Sequence, residues 1–196
     1  MTSRRVSWQR VDETPTDEVC AMLVRDSGLS LVGTVLGADA GIPLRIEYRV
    51  LTDAAGLTTA AHVREQRGFG QHALTLVRDT KGGWTGDGAA LRELRGCTDI
   101  DLGFSPSTLT LPVRRLRLPI GASATVNVAW IRNPGLAVEK VAQTYTRLDE
   151  FTYRRASGSI EADLTVDDDG LVITSGAWRR TGLAVGIDDS EPLDAR

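Results

Sequence analysis

Apolar side chains recur at every second position over much of this chain, and that regularity excludes most folds. Leu44, Ile46, Tyr48 and Val50 alternate with Arg45, Glu47 and Arg49. Ala124, Val126, Val128 and Trp130 alternate with Thr125 and Asn127, and Ile160, Ala162, Leu164 and Val166 with Ser159, Glu161, Asp163 and Thr165. A period of two is that of a pleated strand, whose successive side chains point to opposite faces, so each run predicts a strand with one buried face. Antiparallel sheets carry this signature because one face packs on a core while the other meets water. Further strands are expected over 21–25, 29–37, 58–66, 73–79, 99–104, 111–118, 144–148, 153–156 and 171–175.

Turn chemistry separates these runs. Asp26-Ser27-Gly28, Lys81-Gly82-Gly83 and Asp167-Asp168-Asp169-Gly170 supply residues that tolerate the positive φ of tight hairpins. No segment carries a sustained 3.6-residue apolar stripe, and the nearest, Val138 to Phe151, is rich in β-branched and aromatic residues that suit a strand. The predicted fold is all-β, a meandering antiparallel sheet with little helix. So many strands must curl, close or be covered to bury an apolar face and protect the edges, which predicts a roll or barrel. Its interior is either filled by side chains or partly open to a ligand, and periodicity leaves both open.

The 196 residues, 41% hydrophobic and 25% charged, fit one ordinary globular domain, expected over 1–187, with an acidic, frayed tail over 188–196. Such a domain buries enough surface to need no disulfide network or structural metal. Cys20 and Cys97 are far apart and lack Cys-x-x-Cys spacing, so reduced, partly buried thiols are expected, with a single bridge the less favoured alternative. Neither a signal-peptide pattern nor a run of roughly 20 apolar residues is present, which predicts a cytoplasmic protein without a membrane span. A net charge of −3 argues against a general nucleic-acid binder, although a local arginine patch can still hold one anion.

Polar chemistry is densest in Gly96 to Leu116, GCTDIDLGFSPSTLTLPVRRL. Asp99 and Asp101 are two apart in an expected strand, so both leave one face with carboxylates roughly 7 Å apart. That matches the about 6.5–9.5 Å of an inverting glycosidase pair, but same-face aspartates more commonly meet solvent or pair with arginine. If the following segment is also a strand, Arg115 and Arg117 share one face and Arg114 the other, beside Leu116 and Leu118. A guanidinium among apolar neighbours needs a partner, either Asp99 or Asp101 or an anionic ligand.

Other motifs carry less. Gly68-Phe69-Gly70-Gln71-His72-Ala73 has the letters of a dinucleotide fingerprint, but a strand pattern follows it where a helix is required. His62 and His72 have no metal-ligand spacing, and Asp167 to Asp169 lacks the alternating ligands of a calcium loop, so neither a metal nor a cofactor is expected. No nucleophile elbow is present. Trp8, Trp84, Trp130 and Trp178 are core anchors or cavity walls, and Trp130, following Val126 and Val128 on one face, is the best candidate for an interior position. Gln143 and Tyr145 share a strand face and form a polar pair able to bond a head group or a neighbouring strand.

The segment Gly96 to Leu116 resembles the signature Gly-Cys-x-Asp-Val-Asp-Leu…Thr-Asn-Thr-Leu-Pro-Ile-Arg-Arg-Leu of a bacterial glycolipid-binding family, formerly a domain of unknown function. The resemblance extends to Tyr48-Arg49-Val50 with Asp53, Gly83-Trp84, Gln143-x-Tyr145, Gly170-Leu171-Val172 and Trp178-Arg179-Arg180. It departs at Leu109, where the pattern has Asn, and at Thr174 to Ala177, where an aromatic-proline character is expected. The resemblance implies a spiralled, strongly bent, half-barrel-like sheet similar to lipoprotein carriers, with an apolar concavity. It further implies a non-catalytic protein holding a glycolipid or other amphipathic small molecule. Candidate contacts are Asp99, Asp101, Thr108, Arg114, Arg115, Trp130, Gln143, Tyr145 and Arg180, with the head group expected near Asp99, Thr108, Arg114 and Tyr145. A cytoplasmic enzyme acting on a sugar or lipid conjugate through Asp99 and Asp101, and a protein-interaction module using sheet edges, are the alternatives.

Overall fold

The computed structural model describes residues 2–12 and 15–185; the tail expected to fray, 188–196, lies outside the described residues. Alternating runs become strands β1 (Thr2–Arg10), β2 (Thr16–Arg25), β3 (Gly28–Asp39), β4 (Ile42–Thr52), β5 (Thr58–Arg67) and β6 (Gly70–Arg78). Short β7 (Trp84–Gly86), β8 (Ala89–Ala90) and β9 (Asp99–Leu102) precede the one α-helix of the described residues, α1 (Thr110–Leu116). Strands resume with β10 (Ser123–Ile131), β11 (Val138–Arg147), β12 (Thr152–Ser157), β13 (Ile160–Val166), β14 (Val172–Ser175) and β15 (Trp178–Val185). All form one sheet, ordered β8 to β1 and then β15 to β9. Its neighbours are antiparallel except β9 and β10, which are parallel.

That one parallel pair overturns the expected strand over 111–118. Parallel neighbours need a crossover, and the chain supplies it with a 3₁₀ turn, Ser107–Leu109, followed by α1. Leu109, Val113 and Leu116 have helical spacing as well as partial alternation, and seven residues are too few for the pattern to decide. Pro112 falls in the first helical turn, where a missing N–H removes no helical bond. The predicted faces of Arg114, Arg115 and Arg117 fail with the strand.

The alternation of β4 is realised directly, with Leu44, Ile46, Tyr48 and Val50 buried and Arg45 and Arg49 exposed. The sheet rolls so that β5 lies beside β9, where the Thr58 N–H donates to the Thr98 carbonyl at 3.0 Å, but it does not close into a barrel. The stretch 104–113 is buried throughout, contributing Leu109, Leu111 and Val113 to a core shared with Trp8, Met22, Ile46 and Leu164. Two indoles are buried with partners, as their polar N–H requires: Trp8 donates to Val172 O at 2.7 Å and Trp84 to Cys97 O at 3.1 Å. Cys20 and Cys97 are free and buried, and burial pushes the Cys97 thiol up to about 11.

The register defines two ends. The β2–β3, β4–β5, β11–β12 and β13–β14 turns lie at the end reached by α1. The β1–β2, β12–β13 and β14–β15 turns lie at the other, where β9 hands over to the crossover.

Candidate functional site

At the end away from α1, the inward face of several strands outruns the core and becomes a wall. Trp130, Val141, Gln143, Arg155, Ala162 and Trp178, with Asp101, Leu102, Ser105 and Leu109, surround a cavity of about 520 Å³. The alternation that buries Val126 and Val128 continues to Trp130, but no layer covers that position. Its indole is therefore half-buried on the cavity wall rather than in the core, with the Arg132 guanidinium 5.6 Å from the ring centroid.

One polar chain lies against this wall. The Tyr145 hydroxyl donates to Gln143 Oε1 at 3.0 Å, Gln143 Nε2 donates to Asp101 Oδ2 at 2.5 Å, and Arg155 Nη1 donates to the same oxygen at 3.1 Å. Burial raises the Asp101 carboxyl above its ordinary range, opposed by Arg155 and Gln143. Burial likewise pushes the Tyr145 hydroxyl up. Gln143 and Tyr145 share a face as expected, because β11 is regular there.

A second buried carboxylate ties the crossover to the sheet. Ser105 Oγ donates to Glu18 Oε1 at 2.7 Å, the Tyr48 hydroxyl donates to the same oxygen, and Ser105 and Ser107 hydroxyls lie 2.7 Å apart. Glu18 is 1% exposed and its Oε2 has no partner. Desolvation pushes Glu18 up to about 7, against the lowering by Tyr48, Ser105 and Ser107. Gly33 permits this arrangement, since a Cβ there would stand 2.3 Å from the Tyr48 hydroxyl oxygen.

Of the nine residues proposed from sequence, Asp101, Trp130 and Gln143 line the cavity and Tyr145 adjoins it through Gln143. The others lie elsewhere. Asp99 is fully buried in a bidentate pair with Arg115, at 3.3 Å from Nε and 2.5 Å from Nη2. Arg114 therefore takes neither aspartate; it donates to the Asp169 carbonyl from α1. Thr108 Oγ1 accepts the Leu102 N–H at 3.0 Å, and Arg180 pairs with Asp167. The structure does not bring Asp99, Thr108 and Arg114 together at this cavity: Asp99 and Thr108 are buried in internal bonds, and Arg114 stands at the other end.

Arg155 and Glu18 were missed although the signal was present. Tyr153, Arg155 and Ser157 alternate inward on β12, and Thr16, Glu18, Cys20 and Met22 do so on β2. A charged residue on an otherwise buried strand face is what each offered. Both departures from the family pattern fall on this cavity, at Leu109 and at Ser175, Gly176 and Ala177. No group of His, Cys, Asp and Glu fit for a metal exists among the described residues.

A family model described as "Putative glycolipid-binding" matches residues 5–180. The chain belongs to that family. It is also similar to the crystal structure of a DUF1089 family protein from Pseudomonas aeruginosa, at 34% identity over 82% of this chain and 89% of that chain, with a TM-score of 0.74. No curated protein matches. In this member of the glycolipid-binding family the stretch 96–116 contains the edge strand β9, the interior crossover and both partners of the Asp99–Arg115 pair.

Proposed function

We propose that the 520 Å³ cavity holds the sugar-bearing end of an amphipathic lipid without catalysing its conversion. The observation that carries this reading is the joining of aromatic and aliphatic walls to one charge-balanced polar cluster. Its size is that of ordinary small-molecule sites, about 300–1,000 Å³, which are mostly apolar with few polar groups. Arg155 is neutralised by Asp101 at 3.1 Å, and Arg10, also on the wall, by Asp12 at 2.7 Å. Balanced pairs suit hydroxyls, which both donate and accept, better than a phosphate, which needs surplus positive charge. Trp130 and Trp178 give the sugar face and the first methylenes an apolar surface, each buried methylene contributing about 0.8 kcal/mol before ordering costs. Asp99 does not line the cavity, so the aspartate pair of the enzymatic alternative has one carboxylate there and gains no support. No helix of the described residues is long and apolar enough to cross a membrane.

Native mass spectrometry of protein purified from its own source is expected to show a co-purifying lipid, and titration with alkyl glycosides to change tryptophan fluorescence. Asp101→Asn should weaken the glycoside about tenfold, the loss of a charge-assisted hydrogen bond. No lipid in repeated preparations, together with no response to any alkyl glycoside, would end this reading.

A further inference from the structure

The end plugged by α1 holds a second concavity of about 450 Å³, bounded by the helix and by the β2–β3 and β4–β5 turns. Its charges are not balanced as those of the sugar cavity are. Four arginines line it, Arg25, Arg114, Arg115 and Arg117, against one carboxylate, Asp53. Arg115 is neutralised by Asp99. Arg25, Arg114 and Arg117 have no carboxylate within ion-pair distance among the described residues, and Arg114 is half-buried with a neutral carbonyl as its acceptor. Asp53 is committed in part to its own turn, since its Oδ1 accepts the Leu57 N–H at 2.9 Å.

The concavity is built rather than incidental. Gly28, at φ +137°, lets the β2–β3 turn lie directly on the β4–β5 turn, where a Cβ would stand 2.1 Å from the Thr52 carbonyl oxygen. The Leu29 N–H donates to Thr52 Oγ1 at 2.9 Å and locks the two turns together. Arginines in the last turn of α1 also complement its C-terminal carbonyls, but Arg25 comes from a different element, and three unneutralised charges exceed what the end of a seven-residue helix draws. The adjoining concavity on the other side of Arg114 is different again, because Glu150 and Asp167 to Asp169 outnumber its arginines.

We propose that the cleft bounded by Arg25, Arg114 and Arg117 binds a phosphate group. Guanidinium forks match the oxygens of phosphate in bidentate fashion, and charges delivered from both α1 and the facing hairpin suit a dianion better than a monoanionic carboxylate. The phosphate belongs either to a soluble phosphoester or to a lipid head group. This site is independent of the sugar cavity, so either can fail alone.

The test uses the full chain, titrated with inorganic phosphate at constant ionic strength set with chloride and followed by amide and arginine side-chain NMR shifts. Constant ionic strength matters because exposed arginines are screened by any salt. Saturable shifts at residues 25–29, 52–57 and 114–117 are expected. Arg25→Gln with Arg117→Gln, both exposed and outside the core, should weaken phosphate at least tenfold while leaving the melting temperature without phosphate unchanged. Co-flotation with phosphatidylcholine vesicles containing or lacking phosphatidic acid separates the sources. Binding only to phosphatidic acid vesicles, abolished in the double variant, assigns the lipid head group; saturable phosphate binding without vesicle binding assigns a soluble phosphoester. Phosphate no more effective than chloride together with no vesicle binding, or binding unchanged in the double variant, overturns the site.

Discussion

Asp99→Ala is expected to destabilise the fold by about 3–5 kcal/mol, measured by urea unfolding at neutral pH. The carboxylate side chain is fully buried and the Arg115 side chain is 16% exposed. Removing one partner of such a pair strands the other charge, and that penalty, more than the lost attraction, sets the magnitude. The guanidinium would keep only the Thr98 hydroxyl at 3.3 Å. Replacing both partners, Asp99→Ala with Arg115→Met, should recover a large part of the loss, because no charge is then left without a partner. Glycoside affinity of the folded fraction of Asp99→Asn should equal that of the natural chain. A variant of unchanged stability that had lost binding or turnover would return Asp99 to the ligand and revive the enzymatic alternative.

Glu18→Gln is expected to change how stability depends on pH. The carboxyl titrates near its ordinary 4.5 when unfolded and at about 7 when folded. Its folded pKa is raised, so in this interval the native state holds a proton that the unfolded state has released. Its contribution is fully present below about pH 4.5 and is lost as pH rises through about 7. At about 1.4 kcal/mol per unit, the loss is on the order of 3 kcal/mol. Gln keeps the shape and an oxygen for Tyr48 and Ser105, but cannot ionise. Measured across that range, the variant should lose less stability than the natural chain and be the more stable of the two at pH 8 and above. Parallel curves would mean that Glu18 is solvated despite its burial. Asp101 is also raised and remains in both proteins, so the difference between the two curves isolates Glu18.

Most of the sheet was legible because a period of two leaves little freedom: Tyr48 faces inward and Arg49 outward in any pairing that buries β4. The hairpin turns were legible for the same local reason, as at Asp167 to Gly170, where the Asp167 carboxylate accepts the Asp169 and Leu171 N–H groups at 3.0 and 2.9 Å. The cavity was legible in part. Asp101, Gln143 and Trp130 were found from the strands they occupy, whereas Arg155 required taking a charged residue on an inward face at its word.

Alternation alone assigns which side of each strand faces the core, because it is a property of neighbouring residues and needs no partner. Family membership is legible in the sequence too, in the stretch 96–116 and in the shorter matches that flank it. Long-range packing set the rest: that 110–116 is a helix, that Asp99 pairs with Arg115 and not with Arg114, and that the inward face at one end lies open. Each depends on the parallel β9–β10 pairing and on the roll that brings β5 beside β9, contacts between residues far apart in the chain. Their free energy comes from burial that no local window contains.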